Sequence, residues 1–147
     1  MKAILLAAAM LSLVGSSSAS AQYVDRVYDK GSAWIVTRID VKPGQYNAYM
    51  KWWRDTVLPR IEYGKKAGNV LSYHMLNNNN PRVGEPDLYV LVEYKNMAAI
   101  DQPFAYFEGM DKTLAGSFEG RAKQTASGRE LSEFMGTSLL GEVVFPK

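Results

Sequence analysis

His74 and Tyr94 are the side chains of this sequence best suited to acid–base chemistry. His74 is the single histidine, and only an imidazole has an unperturbed pKa near neutrality, so we take it as a candidate general base. A tyrosine hydroxyl can orient a ligand or donate to an oxyanion, which makes Tyr94 the second candidate catalytic residue. The alternative for His74 is a histidine hydrogen-bonded at an interface.

A second group of residues suggests a binding cleft with aromatic walls. One polar threonine interrupts an aliphatic strand face, and aromatic residues recur at helical spacing in two later segments. Such walls with a few hydroxyls fit a flat apolar or phenolic ligand, whereas the alternative is that the aromatic side chains fill the core. The candidate substrate-binding residues are Thr37, Tyr49, Trp53, Tyr106 and Phe107.

The sequence predicts no cofactor and no metal site. It contains no GxGxxG, P-loop, HExxH or GxSxG motif. With one histidine and no cysteine, zinc ligands would have to come from carboxylates, and no acidic cluster has the spacing of a metal site.

The first 21 residues read as a secretory signal peptide. Lys2 precedes an apolar run from Ala3 to Val14, and Ala19-Ser20-Ala21 has the small-x-small form of a cleavage site before Gln22. The apolar run is shorter than the roughly 20 residues that a bilayer span needs, so we expect an exported protein without a membrane anchor. We expect it in the periplasm, although release outside the cell stays open. The balance of 17 basic and 15 acidic residues argues against nucleic-acid binding.

The remaining chain alternates strand and helix patterns. We expect a leader at 22–32 and one domain at 33–147, in which Pro59 breaks the first helix near Val57 and Pro103 starts the main second helix. Gly141 predicts a bulge or a kink in the last strand, and residues 128–135 a short helical turn before it. The predicted strands are 33–41, 69–76, 88–94 and 136–145, and the helical regions begin at 45 and 97.

This βαββαβ order predicts an α+β, ferredoxin-like fold, in which a four-stranded antiparallel sheet carries both helices on one face. Alternation within the strands assigns Thr37 and Tyr94 to the helix side. Tyr73 and Met75 look like a helix-facing pair, which puts His74 with Val70 and Ser72 on the opposite side, although the other register of this strand stays open.

The other sheet face predicts a partner. It carries too much apolar surface to remain in water, and a second copy of the chain is the simplest cover, so we expect a homodimer. The alternative is that the leader, from Tyr23 to Tyr28, folds over this face. The apolar residues are Trp34, Val36, Tyr89 and Leu91, and candidates for ion pairs there are Arg38, Glu93 and Glu142.

Three stretches resemble the dimeric α+β barrel superfamily, which includes the antibiotic-biosynthesis-monooxygenase-like, NIPSNAP-like and stress-responsive barrel proteins. They are Ile35 to Gly44, with Lys-Pro-Gly after a strand, Asn69 to Tyr73, and Leu88 to Tyr94. The resemblance covers about 33–145 by element order. It implies a homodimer with a small apolar cleft between sheet and helices in each subunit.

Specific activities of that superfamily are not carried over by these residues. Haem-degrading members have asparagine where Thr37 stands, tryptophan where Tyr94 stands, and a histidine near the position of Phe104; barrel-type polyketide cyclases carry a histidine near Ile35.

Three functions remain open: a cofactor-independent lyase, isomerase, cyclase or monooxygenase acting on a small aromatic or polyketide-like compound; a non-catalytic ligand-binding or stress protein; and a structural dimer module.

Overall fold

Four antiparallel strands form one sheet in the order β2-β3-β1-β4. The computed structural model describes residues 26–146, so the predicted signal peptide and its cleavage site lie outside the described residues. The order confirms the ferredoxin-like topology, and the predicted bounds of the third strand are confirmed residue for residue. The strands are β1 (Asp29–Val41), β2 (Val70–Asn77), β3 (Leu88–Tyr94) and β4 (Ser132–Val144).

The helices lie in the two predicted regions. The first region is α1 (Tyr46–Trp52), a π-helical segment (Trp53–Val57) and α2 (Leu58–Lys66), with Pro59 in the first turn of α2. The predicted break before this proline therefore takes the form of a π-helical turn, because a proline nitrogen cannot donate a helical hydrogen bond. The second region is a 3₁₀ turn (Met97–Ala99), α3 (Phe104–Ala115) and α4 (Phe118–Leu131).

The last helix and strand differ from the predicted bounds. Helix α4 runs to Leu131 in place of a separate short turn, and β4 begins at Ser132, four residues before the predicted start at Gly136. The pairing register with β1 shifts between Arg38 and Ile39, where Gly136 has a φ of 118°. Because of this bulge, β4 continues through Gly136, the residue at which the sequence pattern predicts that the strand begins.

The first strand is also longer than expected, because β1 begins at Asp29 inside the predicted leader. Between the pairs Lys30–Val143 and Ala33–Gly141, β1 has one residue more than β4. The sheet is therefore irregular next to Gly141, where a bulge or a kink is expected, and the extra residue belongs to β1. Glu142 stabilises the irregular segment, since its Oε2 accepts from both the backbone nitrogen of Ser32, at 3.0 Å, and its hydroxyl, at 2.9 Å.

The core lies between the helices and one sheet face, as alternation predicts. Its buried residues are Ile39, Val41, Tyr49, Trp53, Ile61, Val70, Leu88, Val90 and Val92. Val70 is a correction, because we expected it on the opposite face with Ser72 and His74. The register shifts between Val70 and Ser72, so Val70 pairs with Tyr94 and is 7% exposed under the helices.

The opposite sheet face has no helix over it in the described part of the chain. Trp34, Val36, Tyr89 and Leu91 are only half-buried there, and Leu76 and Leu140 are 51% exposed. The described end of the leader does not cover these residues, since Val27 is 75% exposed. Within residues 26–146, every helix is too short or too polar to cross a lipid bilayer.

Candidate functional site

A cavity of about 240 Å³ lies where α2 and α3 meet the adjoining ends of β2 and β3. It is larger than the roughly 150 Å³ cavity that holds benzene in another protein and smaller than the roughly 300–1,000 Å³ of pockets for drug-sized ligands. The size suits a ligand with a single ring. The apolar lining residues are Ile61, Val70, Ala99, Ile100, Phe107 and Met110, and the polar ones are Arg60, Asn69, Tyr94, Gln102, Tyr106 and Arg121.

Tyr94 and Tyr106 are the phenolic side chains of the cavity wall. Burial raises the pKa of the Tyr94 hydroxyl, and the nearby Tyr106 adds to the effect. Tyr94 therefore stays protonated at neutral pH and can donate a hydrogen bond, but it is unsuited to act as a base.

Neighbouring aromatic rings hold Tyr106 in place. Its ring makes edge-to-face contacts with the rings of Tyr63 and Phe107. The distances between ring centroids are 5.5 Å to Tyr63 and 5.4 Å to Phe107. Edge-to-face pairs of this kind are favourable beyond the apolar area that they bury. The aromatic wall of the cavity is therefore fixed by contacts within α3 and between α2 and α3.

Gly64 leaves room beside Tyr106 in the cavity. A Cβ atom at this buried position of α2 would lie 2.8 Å from Cγ2 of Val70 and 3.6 Å from the hydroxyl oxygen of Tyr106. Any larger residue would push against β2 and reduce the space beside the tyrosine.

An ion cluster around a buried carboxylate adjoins the cavity. Asp111 of α3 is 4% exposed, and its Oδ1 accepts from Nη2 of Arg60 at 2.5 Å while its Oδ2 accepts from Nη1 of Arg121 at 3.2 Å. Burial by itself raises the pKa of the Asp111 carboxyl, but the hydrogen bonds and charges of the two arginines outweigh burial and hold that pKa below its usual value. The cluster thus contains two cations and one anion at neutral pH.

The structure brings three of the predicted site residues, Tyr94, Tyr106 and Phe107, to this cavity. Three other predicted residues, Thr37, Tyr49 and Trp53, do not line it. Trp53 is buried in the core, with 5.8 Å between its ring centroid and that of Tyr73, and the ring centroids of Tyr49 and Trp52 are 5.5 Å apart. Thr37 is only partly buried in β1. For Tyr49 and Trp53 the arrangement matches the core-filling alternative. Tyr49 also borders a separate pocket of about 260 Å³ under α4.

His74 lies on the other side of the sheet from Tyr94. It pairs with Leu91 and faces away from the helices, because Tyr73 and Met75 pack against the core. This is the face that the alternation with Tyr73 and Met75 suggested. The two candidate catalytic residues are therefore separated by the sheet, and no single substrate can contact both within one protomer.

Sequence reasoning missed the arginines and Asp111. The sequence pattern gives Arg60, Arg121 and Asp111 no role in the site, whereas the structure pairs Arg121 with buried Asp111. The sequence does contain one indication of these residues, which is their place beside apolar helical positions. Arg60 directly precedes the apolar residue Ile61 in α2, and Asp111 directly follows the apolar residue Met110 in α3. A charged residue at the border of a buried stripe is a candidate for a buried ion pair.

In the described part of the chain, no group of three or more His, Asp or Glu side chains could hold a metal ion.

Comparison with solved structures supports the topology. A dimeric ferredoxin-like protein from an uncultured marine organism superimposes with a TM-score of 0.50 at 16% sequence identity, over 78% of this chain and 96% of that protein. This chain has the ferredoxin-like fold. The fold that the predicted resemblance to the α+β barrel superfamily implied is thereby confirmed.

Two further similar structures are HapK from Hahella chejuensis and SnoaB, a cofactor-independent oxygenase from Streptomyces nogalater. The TM-scores are 0.48 and 0.46 at 13% and 11% identity, and each similarity covers 75% of this chain and 91% of the other protein. No protein-family model matches the sequence, and no curated protein matches it.

Proposed function

We propose that this protein is an exported homodimer that binds a small, single-ring aromatic or phenolic compound in the cavity between α2, α3 and the sheet. The observation that carries the proposal is the composition of this wall. Six apolar side chains line a space of about 240 Å³ together with six polar ones, among them the hydroxyl-bearing residues Tyr94 and Tyr106. Pockets with apolar walls and a few polar groups are typical of small-molecule sites.

The state of the tyrosines supports binding of an acceptor group. Since burial raises the pKa of Tyr94, its hydroxyl is a donor at neutral pH, suited to a carbonyl or phenolic oxygen of the ligand. Tyr106 lies beside Tyr94 at the same wall and is held by two aromatic neighbours. Together they supply two of the six polar side chains that line the cavity.

The half-buried apolar sheet face supports the homodimer. A second copy of this chain would remove Trp34, Leu91 and Leu140 from water on both protomers at once. The similar structure with a TM-score of 0.50 is described as dimeric, which agrees with this proposal.

Export rests on the sequence of the first 21 residues. Expression of the full chain in a Gram-negative host, followed by mass spectrometry of the periplasmic fraction, should give a protein that begins at Gln22. Recovery of the uncleaved chain from the cytoplasm alone would contradict export and leave the binding proposal intact.

Ligand binding is tested with a panel of phenols and single-ring aromatic acids. We expect members of the panel to raise the melting temperature, because a ligand that binds only the folded state stabilises it. Tyr94→Phe and Tyr106→Phe should each weaken binding about fivefold, the loss expected for one neutral hydrogen bond. The control is Tyr46→Phe, since Tyr46 is exposed on α1 and its hydroxyl contacts Asn77. If no compound raises the melting temperature, or if Tyr94→Phe and Tyr106→Phe bind as the unchanged protein does, the proposal is wrong.

Catalysis is the second candidate function, and the protonated Tyr94 at the cavity wall is the observation that favours it. A buried phenol can stabilise an oxyanion that forms during a lyase or isomerase reaction without a cofactor. The test is whether the protein converts a bound ligand into a product. An enzyme would be established if Tyr94→Phe abolished product formation while most of the binding affinity was retained. Binding without any product would leave a ligand-binding protein.

A further inference from the structure

We propose that the ligand of this cavity carries a carboxylate or a similar anionic group on its ring, and that Arg60 binds that group. The inference rests on the proposed function, because it names the chemical class of ligand for the same cavity. Three observations on the ion cluster of Arg60, Arg121 and Asp111 carry it: its charge, its unused hydrogen-bond donors and its position at the wall.

The first observation is the charge. Both arginines line the cavity, and both hydrogen-bond to the same carboxylate, that of Asp111. The cavity wall itself contains no carboxylate among the described residues. Within the cluster two cations therefore share one carboxylate, and a positive charge beside the apolar part of the wall favours an anion.

The second observation is a missing hydrogen bond. Among residues 26–146, Nη1 of Arg60 is buried and has no acceptor. Nη2 of the same guanidinium is used by Asp111. A buried charged donor without a partner costs free energy, and a ligand carboxylate that supplies the acceptor would recover it.

The third observation is the position of the guanidinium. The Arg60 side chain is 19% exposed, and Arg60 is part of the cavity wall, whereas Nη1 itself is shielded from solvent. Because Nη1 is shielded, the proposal requires the guanidinium to turn so that Nη1 faces the cavity when the ligand binds. The apolar walls receive the ring of the ligand, and the arginine end receives its anionic group.

The experiment compares benzoate with benzamide, which has nearly the same shape and no charge. Isothermal titration of the purified protein should show benzoate binding roughly tenfold or more tightly, the difference expected for a charge-assisted hydrogen bond. Increasing ionic strength should weaken binding of benzoate and leave that of benzamide unchanged. Arg60→Gln should remove the preference for benzoate, and Arg60→Lys should retain part of it, since lysine keeps the charge without the planar fork.

The matched control is Arg54→Gln. Arg54 belongs to the same helical region, but its side chain is 66% exposed and pairs with Asp55 away from the cavity. This variant should keep the preference for benzoate. If Arg60→Gln does not fold, the comparison of the two compounds and their salt dependence in the unchanged protein still decides.

The outcomes separate the inference from the proposed function. Equal affinity for benzoate and benzamide would overturn the role of Arg60 and leave a site for neutral aromatic compounds. A preference for benzoate that persists in Arg60→Gln would also overturn it. If neither compound binds, both the single-ring site and the anion-binding role are wrong.

Discussion

The imidazole of His74 lies nearly parallel to the indole of Trp34, with 6.4 Å between the ring centroids and 18° between the ring planes. His74 belongs to β2 and Trp34 to β1, so the two rings approach each other across the intervening strand β3. They form part of the half-buried apolar sheet face. The single histidine therefore belongs to the surface proposed for dimerisation, and its partner is an aromatic ring rather than a catalytic group.

Two neighbouring leucines of β4 give a direct test of that surface. Leu140 pairs with Trp34 on the face opposite the helices and is 51% exposed, while Leu139 pairs with Ile35 on the helix side and is 56% exposed. A glutamate at 140 would bury charge in the proposed dimer interface, which is unfavourable without a partner charge. We expect Leu140→Glu to sediment as a monomer at micromolar concentration and Leu139→Glu to remain a dimer. A monomeric unchanged protein would exclude the proposed dimer.

The close contact between α2 and β2 at Gly64 leads to a stability prediction. Alanine is favoured over glycine in a helix by roughly 1 kcal/mol, but at this position its Cβ would lie 2.8 Å from the Val70 side chain. The clash should outweigh the helix preference and lower the free energy of unfolding by roughly 1–3 kcal/mol. Gly109→Ala on α3 is the control, because its Cβ would meet only the Tyr63 hydroxyl, at 3.5 Å, an ordinary contact. Urea unfolding of both variants should give opposite signs; destabilisation by Gly109→Ala alone would contradict this account.

The fold could be predicted because its pattern is local. Alternation of apolar residues defines β3 from Leu88 to Tyr94 without knowledge of any neighbour, and Pro59 explains the interrupted first helix from its own geometry. Val70 was placed on the wrong face because one extra residue between it and Ser72 reverses the alternation. The alternation of apolar and polar residues does not show where the pairing register shifts, so it does not show on which sheet face the residues before the shift lie.

The candidate site could be predicted only in part. Tyr94, Tyr106 and Phe107 were found because a strand end and a helical stripe meet at the same end of the sheet. The pair Arg60–Asp111 joins residues 51 positions apart, and it depends on how α2 and α3 rotate against each other. Charge alone assigns both residues to the surface, so the polar end of the cavity is visible only once the helices are packed.

Acid should destabilise the protein through Asp111. Its pKa is lower in the folded protein than in the unfolded chain, so its contribution to stability is present above about pH 4 and is lost as the pH falls through the folded pKa. Asp111→Asn leaves two arginines without their carboxylate and should cost roughly 3 kcal/mol at pH 7. The difference from the unchanged protein should shrink as the pH falls below about 4.

Urea unfolding over this pH range measures the effect. The control is Asp55→Asn, because the pKa of Asp55 is also lowered, to about 2, yet its two ion pairs are exposed to solvent and should add little stability. Equal stability of Asp111→Asn and the unchanged protein at pH 7 would mean that the buried cluster does not contribute.

Tyr49 should make the protein sensitive to alkali. It is 2% exposed, and burial raises the pKa of its hydroxyl to about 12. The unfolded chain ionises near pH 10, so stability is fully present below that pH and falls by roughly 2–3 kcal/mol as the pH rises toward 12. Absorbance at about 295 nm, which follows tyrosine ionisation, should show late ionisation that loses amplitude in Tyr49→Phe and keeps it in the Tyr46→Phe control. Late ionisation of unchanged amplitude in Tyr49→Phe would contradict the raised pKa of Tyr49.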